Sequence, residues 1–276
     1  MVLCSIHLIS LTPHTSVSAF LSSLRGAGIT AIAQARVLRW MILPSQISAG
    51  HLLARNIRWD LLLILDSDSL IPASLRDSAI AAQWSAQVGT SSKMLAGYRD
   101  LNAALLDPAD PGSVPQARLD LQAARKADSS QNLELTPEMA QFIADLTERL
   151  QKPVSMLNLL AFAPGKKESY VRYGQEFSRR VGSRHGGHVK IVGRVTGSGP
   201  GRGVQGEGMG AEGWDEIAFV HYPSIAHFAS MAGDKDYQDV NQKYRLPALK
   251  DTFIICTMEV DDNGEFVGTQ KHGARL

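Results

Sequence analysis

The sequence predicts an α+β protein made of two tandem βαββαβ units, the ferredoxin-like order of elements. Three observations carry that prediction. Residues 153–260 alternate apolar strand patterns with amphipathic helix patterns in the order strand, helix, strand, strand, helix, strand. Residues 5–88 begin the same order again, as strand, helix, strand, strand, helix. Finally, a Trp-Asp pair opens corresponding strands, Trp59-Asp60 before Leu-Leu-Leu-Ile-Leu and Trp214-Asp215 before Glu-Ile-Ala-Phe-Val. The distance between the two pairs is far longer than a solenoid period, so the pattern reads as domain duplication.

Taken in order, Ser5–Leu11 reads as a strand, Ser16–Gly26 as a helix, Ala35–Leu43 and Trp59–Leu65 as strands, and Pro72–Val88 as a helix. The turn-rich Asp107-Pro-Ala-Asp-Pro-Gly-Ser-Val-Pro115 breaks the chain. An Ala-rich helix is expected over Gln116–Lys126. A second begins at Thr136-Pro137-Glu138, with an N-cap Thr, Pro at the first helical position and an apolar stripe of Phe142, Ile143, Leu146 and Leu150. The second unit follows as strand Pro153–Phe162, helix Glu168–Gly182, strands Gly187–Gly197 and Gly213–Ser224, helical Ser224–Lys250 and strand Thr252–Val260. The predicted division is a degenerate N-terminal unit over 1–106, a connector with helices over 107–152 and a C-terminal unit over 153–276.

Composition narrows the function classes. At 44% hydrophobic and 20% charged residues, the 276-residue chain reads as globular. A net charge of +1 supplies no field for nucleic acid or an anionic membrane, and the Arg36/Arg39, Arg179-Arg180 and Arg184 clusters are short. Cys4 and Cys256 lie in apolar strand patterns, too few for a disulfide framework. The apolar start lacks a basic n-region and a cleavage site, and no segment reaches transmembrane length. A cytoplasmic setting with no nucleic-acid or membrane partner is the expectation.

Several motif readings fail on spacing. The Gly-rich stretch Gly197–Gly213 runs from strand to strand, whereas a phosphate-binding loop must enter a helix N-terminus; it reads as a hairpin loop able to cover a cavity. His185 and His188 have no third ligand nearby, no G-x-S-x-G elbow occurs, and Asp66-Ser-Asp-Ser lacks the Gly and Glu of a calcium loop. No metal and no cofactor is expected.

The residues Met156-Leu157-Asn158-Leu159, Tyr170-x-x-Tyr173, Gly186-Gly187, Trp214-Asp215 and Tyr222-Pro223-Ser224, with Phe228, Met231, Tyr237 and Arg245, resemble the dimeric α+β barrel superfamily, in a branch described as a domain of unknown function. The resemblance implies two sheets facing each other as an intramolecular dimeric α+β barrel, with a small ligand in the barrel cavity. Remaining sheet edges would then allow a homodimer. Relatives include cofactor-free cyclases, isomerases, decarboxylases and monooxygenases, haem-dependent members and proteins without known activity. The implied function is a cofactor-independent cyclase, isomerase or lyase moving a proton on an enolisable or aromatic small molecule. The alternative is a non-catalytic small-molecule binding or stress-related protein.

Candidate residues follow from chemistry. Asn158 interrupts an apolar strand, so its amide serves either a structural partner or a ligand. Strand alternation puts Ile217, Phe219 and His221 on one face and Glu216, Ala218, Val220 and Tyr222 on the other, without saying which face meets the cavity. His221 is either a satisfied core histidine or a general base or acid, with His188 next in line. Tyr170 and Tyr173 share a helix face. Tyr222 or Tyr173 can act as a carbonyl donor, Tyr170 and Tyr237 can present phenols to the same cleft for substrate binding, and all four can instead serve as core. Arg245 can anchor a carboxylate or enolate, or pair with Asp236 or Asp239. Trp214 completes the candidate binding set.

Overall fold

The computed structural model describes residues 1–47, 57–118, 137–198, 211 and 213–268. Eight strands form a closed antiparallel barrel: β1 (Val2–Leu11), β2 (Ala33–Ile42), β3 (Leu61–Asp66), β4 (Ile80–Thr90), β5 (Val154–Phe162), β6 (His188–Ser198), β7 (Glu216–Tyr222) and β8 (Leu249–Glu259). Round the barrel they run β1-β3-β2-β8-β5-β7-β6-β4 and back to β1. Each half of the chain therefore supplies a contiguous four-strand set, β4-β1-β3-β2 and β8-β5-β7-β6. Pairings of β2 with β8 and of β4 with β6 join the two sets. At the second seam Gly193 has to lack a side chain, because a Cβ there would lie 2.3 Å from Val88 Cγ1. Closure removes every free sheet edge, so the edge-strand argument for a homodimer falls away.

The Trp-Asp pairs do the same work in both halves. Asp60 donates its backbone N–H to Ile9 O (2.8 Å) and its carboxylate accepts from Leu11 N (2.8 Å) at the end of β1. Asp215 donates to Leu160 O (2.8 Å) and accepts from Phe162 N (2.7 Å) at the end of β5. Each aspartate thus satisfies an orphan donor where its neighbouring strand stops. Trp59 and Trp214 turn into the barrel core, 3% and 4% exposed.

That core is solid. Ile6, Leu8, Trp84, Leu157, Phe219 and Phe253 fill the interior with at most 1% exposure each. Each such side chain stabilises the fold by roughly 1.5–3 kcal/mol. The expected ligand cavity inside the barrel is occupied by side chains, and space for a ligand lies outside the sheet.

Eight α-helices occur among the described residues: α1 (Val17–Gly26), α2 (Ala73–Ala79), α3 (Ser92–Ala96), α4 (Tyr98–Leu106), α5 (Pro137–Arg149), α6 (Lys167–Phe177), α7 (Ile225–Ala232) and α8 (Lys235–Val240). None is long and apolar enough to cross a membrane. Ser16 caps α1 by accepting from Ala19 N at 3.1 Å, and Phe20, Leu21 and Leu24 form its buried face.

The largest departure from the sequence reading is the helix expected over Pro72–Val88. Only Ala73–Ala79 is helical, and Ile80–Thr90 is the missing fourth strand, with Ala82, Trp84, Ala86 and Val88 facing inward. Its alanines suit a helix, but closing the barrel needs a strand between β1 and β6, and tertiary pairing overrides propensity. The predicted N-terminal unit also carries two helices that the sequence reading did not place, α3 and α4, ahead of the turn at Asp107. Of the Ala-rich helix expected over 116–126, residues 116–118 are not helical and the rest lies outside the described residues, as does most of the Gly-rich stretch.

Candidate small-molecule site

The outer face of the second half's sheet carries a cavity of about 140 Å³. Asn158 on β5, Ala218 and Val220 on β7, and Ile254 on β8 form its floor, and Ile42 on β2 closes one side. Its roof is α6, α7, α8 and the turn that follows α8. On α6 the three- and four-residue spacing of Tyr170, Tyr173 and Phe177 turns all three rings onto one face. These rings stack in sequence, with centroids 5.3 Å and 5.9 Å apart. Tyr237 from α8 meets Phe177 edge-on at 6.3 Å.

Arg245 reaches the cavity through a π-helical turn, Asn241–Arg245, that widens the end of α8. Such turns recur where a helix has to re-aim a functional side chain. The guanidinium is 4% exposed and donates to Asn241 Oδ1 and Thr252 Oγ1, both at 3.5 Å. Asp236, which the sequence offered as its partner, pairs instead with Arg180 at 3.1 Å and Arg184 at 2.8 Å.

Burial sets the state of the phenols. It pushes Tyr170 up to about 12, against the opposing pull of Arg245, and drives Tyr173 and Tyr222 well above the usual tyrosine range. At neutral pH all three are O–H donors, not phenolates. Asn158 has the structural partners that one of its two sequence readings called for. Its amide nitrogen donates to Met156 O (3.1 Å) and Ala218 O (3.2 Å), which leaves Oδ1 as the group that can address a ligand.

Six of the predicted residues therefore meet in one place: Asn158, Tyr170, Tyr173, Tyr222, Tyr237 and Arg245. Three do not. Trp214 is inside the barrel, its ring 6.4 Å from Phe253. His221 and His188 are opposite each other on β7 and β6, where His221 continues the barrel-facing side of Ile217 and Phe219. His221 is 1% exposed, and burial, with Lys190 and two histidines nearby, lowers its pKa to about 3.

Glu216 was missed as a site residue. Its carboxylate lines the cavity, 14% exposed, and pairs with Lys167 Nζ at 3.0 Å. The sequence did group it with Tyr222 by alternation, and the signal lacking was which face the helices cover. Among the described residues no set of three His, Cys, Asp or Glu is placed to hold a metal ion.

The fold and site define an eight-stranded α+β barrel with a helix-roofed cavity on one side. No protein-family model matches the chain, and no curated protein matches it. Among solved structures it is similar to RPA0582 from Rhodopseudomonas palustris, a protein of unknown function. The identity is 27% over 44% of this chain and 91% of that chain, with a TM-score of 0.34. Methylated RPA0582 gives 25% identity over 50% of this chain and 95% of that chain, again with a TM-score of 0.34.

Proposed function

We propose that the chain is a tandem pair of ferredoxin-like units forming an intramolecular dimeric α+β barrel, with the working site in the second unit. That site acts as a cofactor-independent proton-transfer enzyme on a small enolisable or aromatic molecule. Element order and the paired Trp-Asp hydrogen bonds support the duplication. The observation that carries the function is the convergence of one buried guanidinium, four phenols and one carboxylate on a cavity with otherwise mostly apolar walls.

A volume near 140 Å³ is that of a single-ring molecule, since a cavity of about 150 Å³ accepts benzene. Arg245 and the un-ionised phenols are donors, suited to an oxyanion that develops as a proton leaves the adjacent carbon. Glu216 is the group available to take that proton, with Lys167 Nζ 3.0 Å from its carboxylate. The base therefore moves from His221, which faces the barrel, to a carboxylate on the cavity side of the same strand. Asn158 Oδ1 orients the ligand by accepting from its hydroxyl.

Non-catalytic binding is the second reading, favoured by two observations: among the described residues no imidazole lines this cavity, and its carboxylate is already paired. A panel of one-ring enolisable acids, phenylpyruvate among them, separates the two. Proton–deuterium exchange at the carbon next to the carbonyl, followed by NMR, is expected with the wild type. Glu216→Gln should slow it by ~100-fold or more, the scale of losing a general base. Binding without exchange across the panel supports the second reading, and no binding defeats both.

A further inference from the structure

A second cavity, of about 650 Å³, lies at the mouth of the barrel, between its rim and the chain segment that follows α4. None of its lining residues belongs to the cavity described above. The wall between the two is thin: a Cβ on Gly187 would lie 3.0 Å from the Tyr222 ring and 3.4 Å from Phe177. Tyr222 faces one cavity, and its neighbours His221 and Pro223 face the other.

Three features define what this second space accepts. First, among the described residues no Asp, Glu, Lys or Arg lines it, which suits a ligand without charge. Lys190, the nearest buried cation to His221, is already paired with Glu259 and donates to Asn102 Oδ1 at 2.9 Å. Second, five prolines, Pro108, Pro111, Pro115, Pro153 and Pro223, stiffen its walls, so a ligand pays little to order them. Third, the imidazoles are not equivalent. His227 is satisfied on both nitrogens, by Ser224 Oγ at 2.8 Å and Pro115 O at 2.7 Å. His221 is 1% exposed and its Nδ1 has no hydrogen-bond partner among the described residues. A buried ring nitrogen left unsatisfied is costly and calls for a partner.

We infer a second ligand site at the barrel mouth that takes a neutral, largely apolar molecule of two or more rings bearing one hydroxyl, with His221 as its hydrogen-bonding residue. A hydroxyl both donates and accepts, so it satisfies either tautomer of a neutral imidazole. The deprotonated state that burial imposes on His221 agrees with a neutral partner.

The probe is 2-naphthol, titrated into the full chain at neutral pH while the imidazole 15N resonances of labelled histidine are followed by NMR. Binding should move the His221 signals. His221→Phe, which keeps the ring volume and removes the nitrogens, should weaken binding at least ~10-fold, the scale of one buried hydrogen bond. Ala104→Phe, which fills the cavity from α4, should do the same and serves if the first variant fails to fold. Ala218→Leu, which fills the other cavity, should leave this binding unchanged. Absence of binding to the wild type, or affinity that follows Ala218→Leu in place of His221→Phe, overturns the proposal.

Discussion

Beneath α1 the third strand of the first half is packed solid, whereas beneath α6 and α8 the corresponding strand of the second half opens a cavity. Strand register aligns them. His7 pairs with Leu63 and Ser85 on its two neighbours, and Asn158 pairs with Ala218 and Ile254 on the corresponding strands. Where β7 presents Glu216, Ala218 and Val220, β3 presents Leu61, Leu63 and Leu65, all three fully buried against α1. Three positions on one strand thus separate a packed face from one with room for a ligand. Topology allows a cavity here, and side-chain volume decides whether it opens.

The polar groups differ in kind as well. His7 looks like part of a catalytic relay, with Ser5 Oγ 2.9 Å from Nε2 and Gln83 Nε2 3.0 Å from Nδ1. An amide nitrogen only donates, so Nδ1 accepts, Nε2 carries the proton, and Ser5 is an acceptor that cannot be activated. Ser5, His7 and Gln83 are all at most 4% exposed. The first half uses its polar residues to hold two strands together; the second turns them toward a cavity.

Leu63→Ala is the most damaging way to test this contrast. It should lower stability by ~2–5 kcal/mol, read from denaturant unfolding, and create no ligand binding, because the polar groups beside it, Ser5, His7 and Gln83, already hydrogen-bond one another. Ala218→Leu makes the reverse exchange. It should abolish ligand binding in the second half, at least ~100-fold by calorimetry, with little change in Tm because the leucine enters existing space. Wild-type affinity in that variant would break the comparison. Arg245→Met removes the charge and keeps much of the volume, so an anionic ligand should bind ~10- to 100-fold more weakly, as expected for one charge-assisted hydrogen bond. A neutral analogue of the same ligand should lose far less.

The smallest effect concerns acid. Burial lowers His7 to about 4 and His221 to about 3, from the ordinary 6.5. The unfolded chain therefore binds more protons below that value. Stability is full above about pH 6.5 and falls as the pH drops toward 4 and then 3. His7→Asn, which copies Asn158 into the first half, should flatten the decline between pH 6.5 and 4 in thermal melts. An unchanged pH profile would mean that His7 is not held neutral by the fold.

Much of this architecture was legible in the chain. Strand and helix order in the second half, the helix at Ser16–Gly26, the Trp-Asp correspondence and the common helix face of Tyr170 and Tyr173 all rest on local periodicity, which the sequence contains in full. Barrel closure, the strand nature of Ile80–Thr90 and the side of β7 that meets a cavity came only with the tertiary structure. A period of two sorts residues into two sets but carries no sign. On β7 both sets are largely apolar, since one packs inside the barrel and the other beneath helices. Alternation could therefore place Tyr222 with Glu216 and His221 with Phe219, and only the packing of α6 and α8 over one face sent the tyrosine to the helix-roofed cavity and the histidine to the barrel mouth.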